Sequence, residues 1–393
     1  MSDTPWRVGD LLHGVEVGPI AHGGHWVARH DGRVIFVRHA LEGEIVDVRV
    51  TGLARRHAFG DAVTITRPSA DRVPEPCPVA TVCGGCDFQH VRVPHQRELK
   101  RQVVAEQVRR LAGVEWEGQV EAVHPDDARW RTRMRYHRDE NTTPSEWGLR
   151  QSRSHDIVAL PEQGCLIAAA PLARVPANAP EGPAVMGALE GAEAVWVAPG
   201  DPRLIEVSAA HRRWSVRADG FWQVHPQAAD TLVEAVLSGL HPRPGETALD
   251  LYCGVGLFAG ALVDADVSVT GIEGSTTAVA QARRNVAGAR FLAGDVARVL
   301  GPRDGRCRQG SPVPGRTDLV VLDPPRAGAG AAVMAQVMAR APRAVAYVAC
   351  DPAALARDLA TAAQGGYRVV SLRAFDLFPQ THHVECVAIV MPE

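Results

Sequence analysis

The chain has 393 residues, more than one hydrophobic core ordinarily supports, so two or three domains are expected. It is 46% hydrophobic and 22% charged, which excludes a disordered or fibrous chain. No apolar run reaches membrane-spanning length, and Met1-Ser2-Asp3-Thr4-Pro5 lacks the features of a leader, so a cytoplasmic protein with no membrane partner is expected.

The net charge of −3 excludes a globally basic nucleic-acid binder, and any such surface must be local. Lys100 is the only lysine, and the excess of arginine beside many Ala, Gly and Pro reads as coding bias. Of eight cysteines, Cys77, Cys83 and Cys86 cluster, while Cys165, Cys253, Cys307, Cys350 and Cys386 are scattered. In a reducing compartment a cluster points to metal or redox chemistry before disulfides.

Residues 8–66 alternate apolar and polar side chains in short runs, punctuated by Gly23-Gly24, Asp31-Gly32 and Gly60-Asp61. Five short strands of an OB-like or SH3-like β-barrel fit this pattern, and such barrels often bind RNA. Residues 67–94 are rich in Pro, Cys and Gly. A helix is predicted over residues 95–112, with Val103, Val104, Gln107, Val108 and Leu111 at helical spacing, packing on the C-terminal domain.

Trp130–His137 is basic and aromatic. Strand alternation would put Arg131, Arg133 and Arg135 on one face to grip phosphates, with Trp130 and Tyr136 to stack a nucleotide. A solvated charged strand edge would look the same. Residues 171–203 read as a loose connection with a short helix. The Gly/Pro/Arg-rich stretch Arg303–Arg316, with Cys307, reads as a surface loop without function.

From about residue 225 apolar runs alternate with Ala-rich helical stretches: Ala248–Tyr252, Val267–Ile272, Leu319–Leu322, Val345–Ala349, Tyr367–Leu372 and Val384–Val390. A mostly parallel, doubly wound sheet is expected. The fold class is thus multidomain α/β: a barrel over 1–68, a central α+β domain over 69–220 and a Rossmann-like domain over 221–393.

Asp250-Leu251-Tyr252-Cys253-Gly254-Val255-Gly256 follows the first strand of that last domain, where Gly254 and Gly256 let backbone approach a ligand at a helix N-terminus. Glu273 ends the second strand, where a carboxylate can hold both hydroxyls of a ribose. Ala259 stands where a dinucleotide loop needs a third glycine, so S-adenosylmethionine, which has no pyrophosphate, fits better. Asp323-Pro324-Pro325-Arg326 places a further carboxylate at the same strand-end crevice. Cys350 sits at a strand tip, where α/β enzymes place reactive groups, and Thr381-His382-His383-Val384-Glu385 supplies polar groups that the fold can bring to it. A buried structural thiol is the competing reading of Cys350.

With these residues in place the chain resembles the RNA uracil-C5 methyltransferase family, in its subset with an N-terminal TRAM barrel and an iron–sulfur cluster. The matches run through nearly the whole chain in order: Gly23-Gly24 to Arg38, Cys77-x5-Cys83-x2-Cys86 with Cys165, Phe221-Trp222-Gln223-Val224-His225, Asp250–Gly256, Asp323–Gly328, Cys350-Asp351-Pro352 with Ala356-Arg357-Asp358, and Phe378–Glu385. The resemblance implies an S-adenosylmethionine site lined by Gln223, Tyr252, Glu273, Asp295 and Asp323, with Cys350 as nucleophile and Glu385 as general base. It implies a [4Fe–4S] cluster on Cys77, Cys83, Cys86 and Cys165, although three close thiols and a remote one also suit zinc. One departure is Leu257, where the family often has Asn.

That chemistry needs these residue types. A thiolate added at C6 of uracil makes C5 electron-rich, and a carboxylate can then take the C5 proton so that the thiolate leaves. The base must leave its stack to meet a buried thiol. His383 would be a proton shuttle or a structural histidine. The expected substrate is 23S rRNA, with the T-loop uridine of tRNA as the alternative, acted on by a monomer. A radical methylthiotransferase would use Cys-x3-Cys-x2-Cys, and an RNA cytosine-C5 enzyme would carry Cys where Arg326 stands. A non-catalytic RNA binder with a relict cofactor fold would not need Cys350 and Glu385.

Overall fold

Alternating side chains close the first unit on itself. In the computed structural model, which describes residues 6–139, 146–301 and 313–393, strands β1 (Leu11–Ala21), β2 (His25–His30), β3 (Arg33–Arg38), β4 (Ile45–Leu53) and β5 (His57–Arg67) form a closed barrel in the order β1-β2-β3-β5-β4. Val15, Val17, Ile35, Val37, Val46 and Val48 point inward and are buried. Where β5 pairs with β4, a Cβ on Gly60 would collide with Val48 Cγ1 and lie 2.9 Å from the Arg49 carbonyl oxygen, so only glycine fits there.

Helix α1 (Val93–Ala112) starts with a proline in its first turn and ends at Gly113, whose left-handed φ of 67° lets its N–H reach the Arg109 carbonyl. Its buried face joins the barrel to the C-terminal domain through Leu99, Lys100, Val103, Val104 and Val108. Lys100 is fully buried with Asp376, at 2.5 Å, and also donates to the Phe378 carbonyl at 3.0 Å.

After the short β6 (Val120–Ala122), a five-stranded sheet runs β11-β10-β7-β8-β9, built from β7 (Arg133–Arg138), β8 (Trp147–Arg150), β9 (Ile157–Ala159), β10 (Ala184–Glu190) and β11 (Glu193–Val197). A hairpin, β12 (Leu204–Ala209) and β13 (Arg212–Arg217), follows. The expectation of a loose connection over 171–203 is therefore corrected. Only the 3-10 turn Ala170–Leu172 is helical there, and β10 and β11 form a hairpin that turns at Gly191, φ 60°. Alanine and glycine are poor strand formers, so pairing rather than propensity decides this segment.

The C-terminal domain alternates α2 (Ala228–Leu240), β14 (Thr247–Leu251), α3 (Leu257–Asp264), β15 (Ser268–Glu273), α4 (Thr276–Asn285), β16 (Arg290–Ala293), α5 (Val296–Leu300), β17 (Leu319–Leu322), α6 (Ala331–Met338), β18 (Ala344–Ala349), α7 (Pro352–Gln364), β19 (Tyr367–Asp376) and β20 (Glu385–Pro392). The sheet order is β16-β15-β14-β17-β18-β20-β19-β6. It is parallel except for β20, which runs antiparallel to both neighbours. Strand β6, from the central stretch of sequence, pairs in parallel with β19 at the sheet's edge. β17 and β18 are buried at every position, as a parallel sheet covered on both faces requires. Among the described residues no helix is long and apolar enough to cross a membrane. Cys307 lies outside them.

Candidate active site

Four parallel strands, β14, β15, β17 and β18, end on one edge, and there the chain opens a cleft of about 1470 Å³. Gln223, Tyr252, Gly254, Glu273, Asp295 and Asp323 all line it. Glu273 is held by two backbone donors, Gly254 N–H to Oε2 at 3.1 Å and Ser275 N–H to Oε1 at 2.7 Å. Asp295 caps α5 by accepting from Arg298 N–H at 3.0 Å. Asp323 follows the β17 tip, and burial pushes its carboxyl up to about 7.

Two residues expected in the cofactor site take other parts. Asp250 is fully buried behind the loop, where Oδ2 accepts from Ala259 N–H at 2.8 Å at the start of α3. Burial pushes its carboxyl up to about 8. Gly256 packs inward, its missing Cβ leaving room for Val286 and Phe291 at 3.2 and 3.3 Å. Both residues therefore shape the loop without lining the cleft, which a motif match cannot distinguish from ligand contact.

Cys350 and Glu385 meet because β18 and β20 are neighbours. Ala349 pairs with Cys386, so the residue just past the end of β18 faces the first residue of β20. Both line the cleft. Burial, reinforced by Glu385, pushes the Cys350 thiol up to about 12, and Arg326 pulls it down. Glu385 is likewise held well above the usual carboxylate range by burial and by Asp323, with Arg326 again opposing. Among the described residues Arg326 is the cation that acts on both groups, a role sequence reasoning missed. Its Nη2 donates to His383 Nε2 at 3.2 Å. Burial lowers His383 to about 3, so this imidazole is a neutral acceptor that orients Arg326, and the structural reading of His383 fits it better than a proton shuttle.

The loop from Leu377 to Val384, which delivers Glu385, is tied down by distant segments. Asp87 and Phe88, next to the cysteine cluster, donate backbone N–H groups to the Gln380 carbonyl at 2.8 and 3.0 Å. Asp87 Oδ2 accepts from His382 N–H at 3.1 Å and lies 2.7 Å from His382 Nδ1. Gln96 of α1 exchanges hydrogen bonds with Gln380, and Lys100 holds the Phe378 carbonyl. A smaller cavity of about 110 Å³ reaches Cys350 from the barrel side, lined by His22, Gly23 and Gly24. There His22 Nε2 lies 3.0 Å from Asp351 Oδ2, while Asp351 Oδ1 caps α7 by accepting from Ala354 N–H at 2.7 Å. A Cβ on Gly24 would approach His382 Cβ to 2.8 Å.

The three arginines do not act alike. Arg131 and Arg135 line the cleft, and Arg135 is exposed. Arg133 is buried and donates from Nη1 to the carbonyls of Arg217, Ala218 and Gly220 at 3.0, 3.2 and 2.8 Å, which removes it from any phosphate. Trp130 and Tyr136 are both fully buried, and the Tyr136 hydroxyl donates to the Leu172 carbonyl at 2.7 Å, so neither is free to stack a nucleotide. Phe221, 74% exposed, is the aromatic that the cleft presents instead.

Cys77, Cys83, Cys86 and Cys165 are free thiols that the fold gathers from positions up to 88 residues apart in the chain. The segment is anchored by a bridge between Cys83 and Gln151 and by Cys77 N–H donating to Gln89 Oε1 at 3.1 Å. Burial pushes Cys83 up to about 11, and the charges of Cys165 and Cys77 push it the same way.

Comparison with known proteins identifies the family. The TRAM domain model matches residues 14–63 and the tRNA (uracil-5-)-methyltransferase model matches residues 316–392. A protein of Streptomyces avermitilis described as an uncharacterized RNA methyltransferase is 44% identical, over 96% of this chain and 98% of its own length. The 23S rRNA (uracil(1939)-C(5))-methyltransferase RlmD of a Shewanella species is 31% identical, over 95% of this chain and 94% of its own. The chain belongs to the RNA uracil-C5 methyltransferase family. Its enzyme class is accordingly that of the S-adenosylmethionine-dependent RNA uracil-5-methyltransferases. The family fold is also seen in the Pyrococcus abyssi tRNA (uracil-54, C5)-methyltransferase solved with S-adenosyl-L-homocysteine, at a TM-score of 0.69 and 22% identity over 97% of this chain and all of that one.

Proposed function

We propose that this enzyme methylates C5 of a uridine in 23S rRNA by covalent catalysis, with Cys350 as nucleophile and Glu385 as base. The observation that carries this reading is the register of β18 and β20, which sets thiol and carboxylate side by side at the floor of one cleft. Preference for ribosomal RNA rests on the RlmD relatives, which match along almost the whole chain.

S-adenosylmethionine, when bound, supplies an electrophilic methyl group on a cationic sulfur. Glu273 suits its ribose, and Asp323 offers a carboxylate to a cationic ligand; a Cβ built on Gly254 would meet nothing within 4 Å, so the backbone there is open to a ligand. Cys350 Sγ, as thiolate, bonds to C6 of a flipped uracil and moves the C5=C6 electron pair onto C5. C5 bonds to the methyl carbon as the bond from that carbon to the sulfonium sulfur breaks, and its electron pair leaves the sulfur as a neutral thioether. The Glu385 carboxylate then removes the C5 proton, the Sγ–C6 bond breaks, and the double bond returns. Arg326 favours the ionised forms that Cys350 and Glu385 must adopt against their burial.

The four gathered thiols suit a [4Fe–4S] cluster, because burial and then the neighbouring cysteines disfavour the thiolates of Cys83 and Cys86, and iron would offset both effects. Its place is structural: Asp87 and Phe88 carry its position to the Glu385 loop. Anaerobic purification should give broad visible absorption and about four irons per chain, and zinc alone would refute the cluster. The function itself is tested by mapping 5-methyluridine in ribosomal and transfer RNA from cells with and without the gene. Loss confined to one large-subunit site is expected. Loss from the tRNA T-loop alone would overturn the ribosomal assignment, and loss from neither would overturn the reaction.

A further inference from the structure

The barrel and the cysteine-bearing segment meet at a second cluster of donor groups, which the methyl-transfer chemistry does not use. His39, just after β3, Glu75 and His90 each offer one ligand atom, and these atoms lie within 4.8 Å of one another. Two of the three side chains are buried, His39 at 7% and His90 at 1% exposure, and Glu75 is half-buried. The His39 and His90 rings sit edge to face, 5.9 Å between centroids.

His39 Nε2 is buried and has no hydrogen-bond partner, a costly state for a polar atom. His90 Nε2 lies 3.0 Å from the Ala40 carbonyl, so the tautomer that donates there leaves Nδ1 with its lone pair free. Fixing one ring nitrogen on a carbonyl is how metal-binding histidines are oriented. Arg38 and Arg72, whose charges disfavour a cation here, are each paired with a carboxylate, Arg38 with Asp61 at 2.8 Å and Arg72 with Glu44 at 2.7 Å. Backbone conformation adds to the oddity: His39 has φ 58°, which glycine adopts without strain and histidine does not.

We infer that His39, Glu75 and His90 bind one divalent transition-metal ion, zinc being the best match to two imidazoles and a carboxylate, with water in the remaining position. Such an ion would staple the end of β3 to the segment that carries Cys77, Cys83 and Cys86. The inference is independent of the proposed substrate.

The test uses the full chain, purified anaerobically so that the four cysteines keep whatever they hold, and then equilibrated with zinc sulfate and freed of excess. Wild type should retain about one zinc per chain, with an X-ray absorption first shell of nitrogen and oxygen at about 2.0–2.1 Å. His39→Gly, which suits the local backbone, and Glu75→Gln should each weaken zinc retention by at least about tenfold while circular dichroism and iron content stay unchanged. Zinc that wild type fails to retain, a sulfur shell near 2.3 Å, or equal retention by His39→Gly would each overturn the inference. Loss of methylation with zinc still bound would instead bear on the proposed reaction alone.

Discussion

The two walls of the cleft differ in charge and in origin. The C-terminal domain contributes Glu273, Asp295, Asp323 and Glu385, with Arg326 beside them, whereas Arg131 just before β7, Arg135 of β7 and Arg150 of β8 line the other wall, where Arg217 at the end of β13 is paired with Asp219. A net charge of −3 averages the two away. Segregation of this kind suits a reaction whose donor is a small cation and whose acceptor is a polyanion: each wall attracts one and repels the other. The lesson is that composition bounds a protein's partners only when its charges are spatially mixed.

The largest effect should come from the anionic wall. Cys350→Ala should lower methylation on the order of 10⁴-fold or more and abolish the denaturation-stable complex with 5-fluorouridine RNA and S-adenosylmethionine. Persistence of that complex would remove Cys350 from the chemistry. Glu385→Gln should slow turnover by about 10²–10⁴-fold, and a covalent RNA adduct should accumulate on ordinary substrate; normal turnover would end the base assignment. The pair behaves as one unit, so the double variant should be no worse than Cys350→Ala.

Arg326 links the walls, and its removal sharpens the contrast. The thiolate is the nucleophile, so adduct formation rises with pH until Cys350 is ionised. Arg326 lowers the thiol from a burial-raised position, and Arg326→Ala should therefore move the pH profile of adduct formation upward by about 1 unit. A profile shifted downward or unmoved would show that Arg326 does not act on the thiol. The smallest effects separate Arg135 from Arg133. Arg135→Ala should weaken RNA binding and reduce the salt slope by about 1, while Arg133→Met should leave the slope alone and destabilise the fold by roughly 1–3 kcal/mol through three orphaned carbonyls. Equal salt slopes in wild type and Arg135→Ala would disprove the phosphate contact.

Much of this site is visible in residue order. Strand-tip positions are fixed by alternation of apolar runs and helices, so Cys350, Glu273 and Asp323 can be placed at one edge before any coordinates. What order does not carry is which face of a strand is buried. Arg131, Arg133 and Arg135 share a parity, yet the side chain of Arg133 is enclosed by the chain at 217–220, a contact 84 residues away. Asp250 fails for a related reason, since a carboxylate at a strand tip can face the ligand or cap the next helix, and the sequence is the same in both cases. Strands β10 and β11 were hidden by alanine and glycine, whose propensities are overridden by pairing with β7. Arg326 and His383 become meaningful only when two loops 57 residues apart are brought into contact.

The approach of Gly24 to His382, with His22 beside Asp351, changes how the barrel should be regarded as a part. A tethered RNA-binding module works by raising local concentration, and its linker is what an engineer or a recombination event must preserve. Here the barrel's first turn forms part of the wall around the nucleophile's cavity. Replacing it with another RNA-binding barrel of equal affinity would therefore return the RNA and lose the enzyme. Its evolutionary unit is the barrel together with the loop that carries the base.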